Sequence, residues 1–206
     1  MRAERRAASA PAPTRVPGGA NRLRIIGGLW RSRVLRFPDS EGLRPTPDRV
    51  RETLFNWLGQ RLDGLSCLDL FAGSGALGFE ACSRGASRVV LVERDRAVAS
   101  QLRRTAQDLG GGATEVIQAD ALEWLARDPS RFDVVFLDPP YAAGLLKPAL
   151  DSIEGHLQPG ARVYVESSEP LDLSSGKWAL IKQARAGAVH FGLLAQNALQ
   201  AELPKV

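Results

Sequence analysis

From residue 63 onward, short runs of consecutive apolar residues alternate with longer stretches in which apolar residues recur every three or four positions. The runs centre on residues 67–70, 89–93, 114–118, 133–137 and 162–166. Runs of this length, bounded by glycine or polar clusters, read as strands buried on both faces. The stretches between them, near 76–84, 95–109, 120–127 and 144–156, carry helical spacing, and Gly110-Gly111-Gly112 and Pro159-Gly160 supply breaks. Alternating strand and helix predicts a doubly wound, mostly parallel sheet. Two last runs, about 178–185 and 188–195, are joined by Ala186-Gly187. So short a link predicts an antiparallel hairpin closing the sheet.

The front of the chain has a different pattern. Residues 1–21 are rich in Ala, Pro and Arg without apolar periodicity, and the expectation is a disordered basic tail. Arg22 to Gly28 and Arg33 to Phe37 have short apolar cores separated by a glycine-containing connection, which predicts a β-hairpin. Trp30 falls in that connection between arginines, where it could stack on an unpaired base or fold back over the hairpin. Thr46-Pro47-Asp48 reads as N-cap, first turn and early acid of a helix. Val50, Leu54, Trp57, Leu58 and Leu62 then follow at helical spacing. The expected organisation is one domain over 22–206, with an N-terminal hairpin and helix (22–62) ahead of a core (63–206).

Charge sharpens this division. Through Arg51 there are 12 Lys or Arg and 4 Asp or Glu, whereas the remainder has 15 and 19, within a net charge of +4. A basic front on a mildly acidic body suggests a polyanion met mainly through one region. At 206 residues and 44% hydrophobic content the chain can bury one substantial core. No apolar run reaches the roughly 18 residues of a membrane span, and no secretory pattern opens the chain. Cys67 and Cys82 lack metal-ligand spacing, so no metal site is expected. The expected setting is a reducing cytoplasm.

Candidate chemistry concentrates at strand ends. Asp69-Leu70-Phe71-Ala72-Gly73-Ser74-Gly75-Ala76-Leu77-Gly78 is a strand, a glycine turn and a helix opening. Such a turn lets backbone approach a ligand closely and aims helix N–H groups at it. Glu93 ends the next strand 20 residues after Gly73, the spacing at which a carboxylate grips ribose hydroxyls. Dinucleotide sites share that spacing. Asp69, expected at the mouth of the cleft, would repel a pyrophosphate and attract an ammonium or sulfonium group. Asp120 could accept a hydrogen bond from an adenine amine. Helix N-capping is the competing role for Asp69 and Asp120. Acids at three successive strand ends suit a cationic nucleoside without phosphates, which is S-adenosylmethionine.

The run Phe132 to Leu137 then delivers Asp138-Pro139-Pro140-Tyr141. An exocyclic amine on a heterocycle is a poor nucleophile because its lone pair is conjugated into the ring. The Asp138 carboxylate and the Pro139 carbonyl can accept its two N–H bonds and hold the lone pair toward an electrophile, while Tyr141 stacks on the ring. A bare strand followed by a proline turn is the plainer reading.

With these motifs the chain resembles class I S-adenosylmethionine-dependent methyltransferases, and specifically the bacterial 16S ribosomal RNA guanine-N2 methyltransferase family. The resemblance rests on Arg24 to Arg33, Leu43 to Asn56, the glycine turn and Asp138 to Tyr141, and spans about residues 22 to 195. It implies a Rossmann-like α/β fold with a seven-stranded sheet. It implies S-adenosylmethionine held by Asp69, Phe71, Ala72, Gly73, Ser74, Gly75, Gly78, Glu93, Asp120 and Ala121, and catalysis at Asp138, Pro139, Pro140 and Tyr141. RNA contacts are expected from Arg24, Trp30, Arg31, Arg33, Arg44, Thr46 and Arg49. The implied partner is 16S ribosomal RNA in the small subunit or its assembly intermediates, met by a monomer with no membrane association. Two other readings stay open at this point. One is an adenine-N6 or other amino methyltransferase on DNA or RNA; the other is a non-catalytic RNA-binding module on the same fold.

Overall fold

The computed structural model describes residues 21–38 and 46–197. Two short strands, β1 (Asn21–Arg24) and β2 (Val34–Phe37), form the expected hairpin; β1 opens one residue before the tail was expected to end. Helix α1 (Asp48–Trp57) follows. The core then runs β3 (Ser66–Asp69), α2 (Ala76–Ser83), β4 (Arg88–Glu93), α3 (Arg96–Asp108), β5 (Thr114–Gln118), α4 (Ala121–Leu125), β6 (Phe132–Leu137), α5 (Leu146–Ser152), β7 (Leu157–Ser167), β8 (Trp178–Ala186) and β9 (Val189–Gln196). Short 3₁₀ turns cover Tyr141–Ala143 and Ile153–His156, so the helix expected over 144–156 is an α-helix half that length extended by a tighter turn.

The seven strands lie in the order β5-β4-β3-β6-β7-β9-β8. β3 to β7 pair in parallel, and β9 runs antiparallel to both of its neighbours. The order reverses between β3 and β6. Chain leaving those two strands diverges to opposite sides and opens a crevice at their carboxyl ends. Both sheet faces are covered, by one apolar cluster containing Phe79, Leu91, Leu102, Phe136 and Tyr164 and another containing Val90, Val135, Leu150, Val163 and Leu194. Among the described residues no helix is long and apolar enough to cross a membrane.

A buried ionic cluster ties the hairpin and α1 to the core. Glu80, fully buried in α2, accepts from the backbone N–H of Ile26 (2.9 Å) and Gly27 (2.8 Å), from Arg51 Nη1 (3.2 Å) and from Arg84 Nε (2.9 Å). Four donors saturate the carboxylate, which lets it stay charged in the interior. Arg51 is also fully buried and donates to the Arg24 carbonyl at 2.8 Å and to Asp48 at 2.6 Å. At Gly28 the backbone is left-handed (φ 74°), and a Cβ there would meet the Ser83 carbonyl oxygen at 1.8 Å. Only glycine lets the hairpin lie so close to α2.

Trp30 closes this junction. Its backbone N–H donates to Ser83 Oγ at 2.9 Å and its side chain is 7% exposed. Of the two roles open to it, the structure takes the folded-back one, and Trp30 is corrected from base-stacking residue to core residue. Its indole gains more by leaving water against Leu35 and Ala106 than an exposed ring would. Leu29, by contrast, stands 88% exposed beside the exposed Arg31 and Arg33.

Candidate active site

The site is built where β3, β4, β5, β6 and β7 end. Asp69, the last residue of β3, is 2% exposed, and its Oδ2 accepts the Gly78 N–H at 3.0 Å. The carboxylate thus lies beneath the first turn of α2, whose N-cap is Gly75 and which has no capping side chain of its own. This corrects the expected position of Asp69 at the cleft mouth: the helix-end role wins because α2 needs an acceptor there. Burial pushes its carboxyl up to about 7, against the pull of the Gly78 hydrogen bond.

The glycine turn folds back tightly. Ala72 N–H donates to the Val92 carbonyl at 2.9 Å and Gly75 N–H to the Ala72 carbonyl at 2.7 Å. Gly75 is left-handed (φ 76°), and a Cβ there would run into Phe79 and Leu102 at 2.5 and 2.7 Å. Ala72 and Ser74 are buried, Phe71 and Gly73 half-buried. Glu93 accepts from Gly73 N–H at 2.9 Å and Asp95 N–H at 2.7 Å, one bond to each oxygen. The carboxylate therefore clips the turn to β4 and keeps lone pairs for hydroxyl donors. Asp120 caps α4 through one oxygen, accepting from Leu122 N–H (3.0 Å) and Glu123 N–H (3.2 Å), and leaves its second oxygen exposed beside the buried Ala121. The capping role expected as the alternative is real, and one carboxylate can serve both purposes.

Across the switch point, β6 ends in Asp138. Its Oδ2 accepts the Thr46 hydroxyl at 3.3 Å. Thr46 does not cap α1 as expected; Pro47 occupies the N-cap with no side-chain cap, and the buried Thr46 hydroxyl turns to the core carboxylate instead. Burial, then the charges of Glu166 and Asp69, push the Asp138 carboxyl well above the usual range, with the Thr46 bond opposing. Pro139 is buried, Pro140 exposed, and Tyr141 is 43% exposed with its hydroxyl donating to Glu166 Oε2 at 3.4 Å.

Glu166, near the end of β7, was missed in the sequence. It is 2% exposed and takes the Tyr164 hydroxyl on Oε1 at 2.8 Å. Burial raises its carboxyl, while the hydrogen bonds from the Tyr164 and Tyr141 hydroxyls pull it back down. The signal was present in Val163-Tyr164-Val165-Glu166, a buried strand ending in an acid, the signature already recognised at Glu93 and Asp138. Beside it opens a cavity of about 580 Å³ lined by Pro139, Pro140, Tyr141, Leu146, Glu166 and Trp178 among others.

Beside burial, Glu166 raises the pKa of both Asp69 and Asp138, Asp69 raises that of Asp138, and no cation acts on any of the three among the described residues. A close-approach turn with free acceptors at two further strand ends, and no cation beside the buried acids among the described residues, fits a nucleoside without phosphates. No group of side chains fit to hold a metal ion occurs among the described residues. Of the expected RNA contacts, Arg24, Arg31, Arg33 and Arg49 are exposed, and among the described residues their guanidinium groups make no ion pair. Arg44 lies outside the described residues.

This sheet order, with a glycine turn at one side of the switch point and an acid–proline–proline–tyrosine turn at the other, is a class I methyltransferase fold. The chain belongs to the family described as conserved hypothetical protein 95, whose model matches residues 23–195. It is 45% identical over 184 residues to the ribosomal RNA small subunit methyltransferase D of Escherichia coli K12, covering 87% of this chain and 93% of that one. A solved Escherichia coli chain assigned as the methyltransferase yhhF superposes with a TM-score of 0.77 at 44% identity, covering 86% of this chain and 99% of that one. The fold also extends to a 16S rRNA N2 G1207 methyltransferase from Thermus thermophilus, solved with AdoMet and guanosine. It has a TM-score of 0.68 at 22% identity and covers 90% of this chain and 52% of that one.

Proposed function

We infer that this protein methylates the exocyclic N2 amine of a guanosine in 16S ribosomal RNA of the small subunit, using S-adenosylmethionine. The observation that carries the reading is the pairing of two half-sites across one switch point: the glycine turn after β3 and Asp138 after β6, on adjacent parallel strands. The 45% identity to a small-subunit ribosomal RNA methyltransferase chooses among amino methyltransferases. The presence of both the glycine turn and the Asp138-Pro139-Pro140-Tyr141 turn disfavours the non-catalytic alternative.

S-adenosylmethionine supplies a methyl group already activated on a sulfonium sulfur. Glu93 accepts from its ribose hydroxyls and the free oxygen of Asp120 from its adenine amine, while the backbone of Gly73 to Gly75 permits close approach. Asp69 holds the first turn of α2 from beneath by accepting the Gly78 N–H. The target base leaves its stack to enter the cleft. Asp138 and the Pro139 carbonyl take the two amine N–H bonds, and Tyr141 packs on the purine face. The N–C bond forms as the S–C bond breaks, and the proton that the nitrogen then sheds passes to Asp138 or solvent. Because the donor is a strong electrophile, orientation and local charge are the protein's main contributions.

Arg24, Arg31, Arg33, Arg44 and Arg49 carry the electrostatic part of RNA binding, and Thr46 joins that face to Asp138. Every named group comes from one chain, so a monomer in the cytoplasm is sufficient. The test uses labelled S-adenosylmethionine and small subunits from cells lacking the activity, followed by nucleoside analysis. N2-methylguanosine is the expected product, and N6-methyladenosine would overturn the reading. Asp138→Ala is expected to abolish turnover while calorimetric cofactor affinity changes little.

A further inference from the structure

Asp138 alone does not distinguish guanine from adenine, because both bases can offer an exocyclic amine to it. What differs is the neighbouring ring position. Guanine has an N1–H donor beside its N2 amine, whereas adenine has a bare N1 acceptor beside N6. A site that selects guanine needs a second acceptor next to the first, and β7 provides one. Leu137 pairs with Val165 in the β6–β7 ladder, so Asp138 and Glu166 are the next residues on adjacent strands, about 4.8 Å apart along the hydrogen-bonding direction.

We propose that Glu166 makes the site guanine-selective, accepting the N1–H of the target base while Asp138 and the Pro139 carbonyl hold its N2 amine. This rests on the methyl-transfer reading above.

Four features support it. Glu166 is a wall of the 580 Å³ cavity that Pro139, Pro140 and Tyr141 also line, which sets it beside the two residues, Pro139 and Tyr141, that flank the base in the methyl-transfer reading; that volume suits a small-molecule or single-base site. The carboxylate is preset, with Tyr164 on one oxygen at 2.8 Å and Tyr141 on the other at 3.4 Å. Two hydroxyl donors on a carboxylate leave lone pairs for one more N–H. The Tyr141 bond also couples the ring that stacks on the base to the group that reads its edge.

The cavity's charge points the same way. Glu166 and Asp172 line it with Glu169, and the lining Lys147 is already paired with Asp151 at 3.7 Å. A phosphate would be repelled there, and the donor-rich edge of guanine is attracted. Adenine, or any base with a lone pair at that position, would bring no donor to the carboxylate and would leave that hydrogen bond unmade.

2,6-Diaminopurine separates the two functions of the site. It keeps the N2 amine that Asp138 holds but has an acceptor at N1 in place of the donor. Small subunits reconstituted with RNA carrying either guanine or 2,6-diaminopurine at the modified position are incubated with labelled S-adenosylmethionine, using wild-type protein and Glu166→Gln. The wild type is expected to prefer guanine by on the order of 100-fold or more in kcat/KM. Glu166→Gln places a donor amide where the carboxylate was, and is expected to narrow or reverse that preference with unchanged calorimetric cofactor affinity. Equal transfer to both bases by the wild type, or an unchanged ratio in the variant, overturns the proposal. Should the variant fail to fold, the wild-type ratio decides alone. Absence of transfer to guanine by the wild type would defeat the methyl-transfer reading itself, and the proposal with it.

Discussion

The Thr46 hydroxyl donates to Asp138 Oδ2 across 3.3 Å, joining residues 92 positions apart. Thr46 stands at the start of α1, and α1 is held to the core by Arg51 and Glu80. The contact thus links the basic front of the chain to the Asp138 carboxylate at the end of β6. It also opposes the rise in the Asp138 pKa caused by burial and by neighbouring carboxylates.

Thr46→Val keeps the shape and removes the donor. A hydrogen bond of this kind is worth about 1 kcal/mol, so kcat should fall about 5-fold with cofactor affinity unchanged. Losing a bond that favours the charged form raises the Asp138 pKa further. The acid limb of the pH–rate profile should therefore move to higher pH. An unmoved limb would remove Thr46 from the site.

Asp69 has a folded pKa of about 7, against about 3.9 in an unfolded chain. The folded state therefore binds this proton more tightly. The resulting stability is complete below about pH 4 and is lost as pH rises through about 7. For a group this deeply buried the shift is worth up to about 4 kcal/mol. Asp69→Asn keeps an acceptor for the Gly78 N–H and cannot titrate. Urea unfolding of the cofactor-free protein between pH 4 and 8 should show a smaller decline in the variant than in the wild type.

Arg51 and Glu80 are both fully buried. Removing one partner leaves a charge in the interior, so Arg51→Met or Glu80→Gln alone should cost about 3–5 kcal/mol. Arg51→Met combined with Glu80→Gln should cost less than the two single effects together. Urea midpoints with a constant slope test this.

Trp30 and its arginine neighbours should separate by assay. Trp30→Ala opens a cavity under the hairpin and should destabilise the protein by about 3–5 kcal/mol. The double change Arg31→Ala with Arg33→Ala should leave stability nearly unchanged and weaken RNA binding. It should also reduce the slope of log affinity against log salt by roughly 1 to 2.

The sequence by itself determined the order of elements, the sheet type and the places of the glycine turn and of the acids that end β4 and follow β6. Buried strands read as continuous apolar runs, and a glycine turn or an acid after such a run has a fixed position relative to its own strand. Glu93 and Asp138 were legible for that local reason. The tertiary structure decided everything that depends on contacts between distant segments. It drew Asp69 under α2, sent the Thr46 hydroxyl to Asp138 instead of to its own helix, and buried Trp30 against Ser83. Each had a local alternative, and for Thr46 and Trp30 packing between segments tens of residues apart selected one. Glu166 shows the same limit from the other side. Its strand was expected near 162–166, although β7 begins at Leu157 and runs through the break expected at Pro159-Gly160; its place beside Asp138 follows from the pairing of β6 with β7, a choice of neighbour that neither strand's pattern contains.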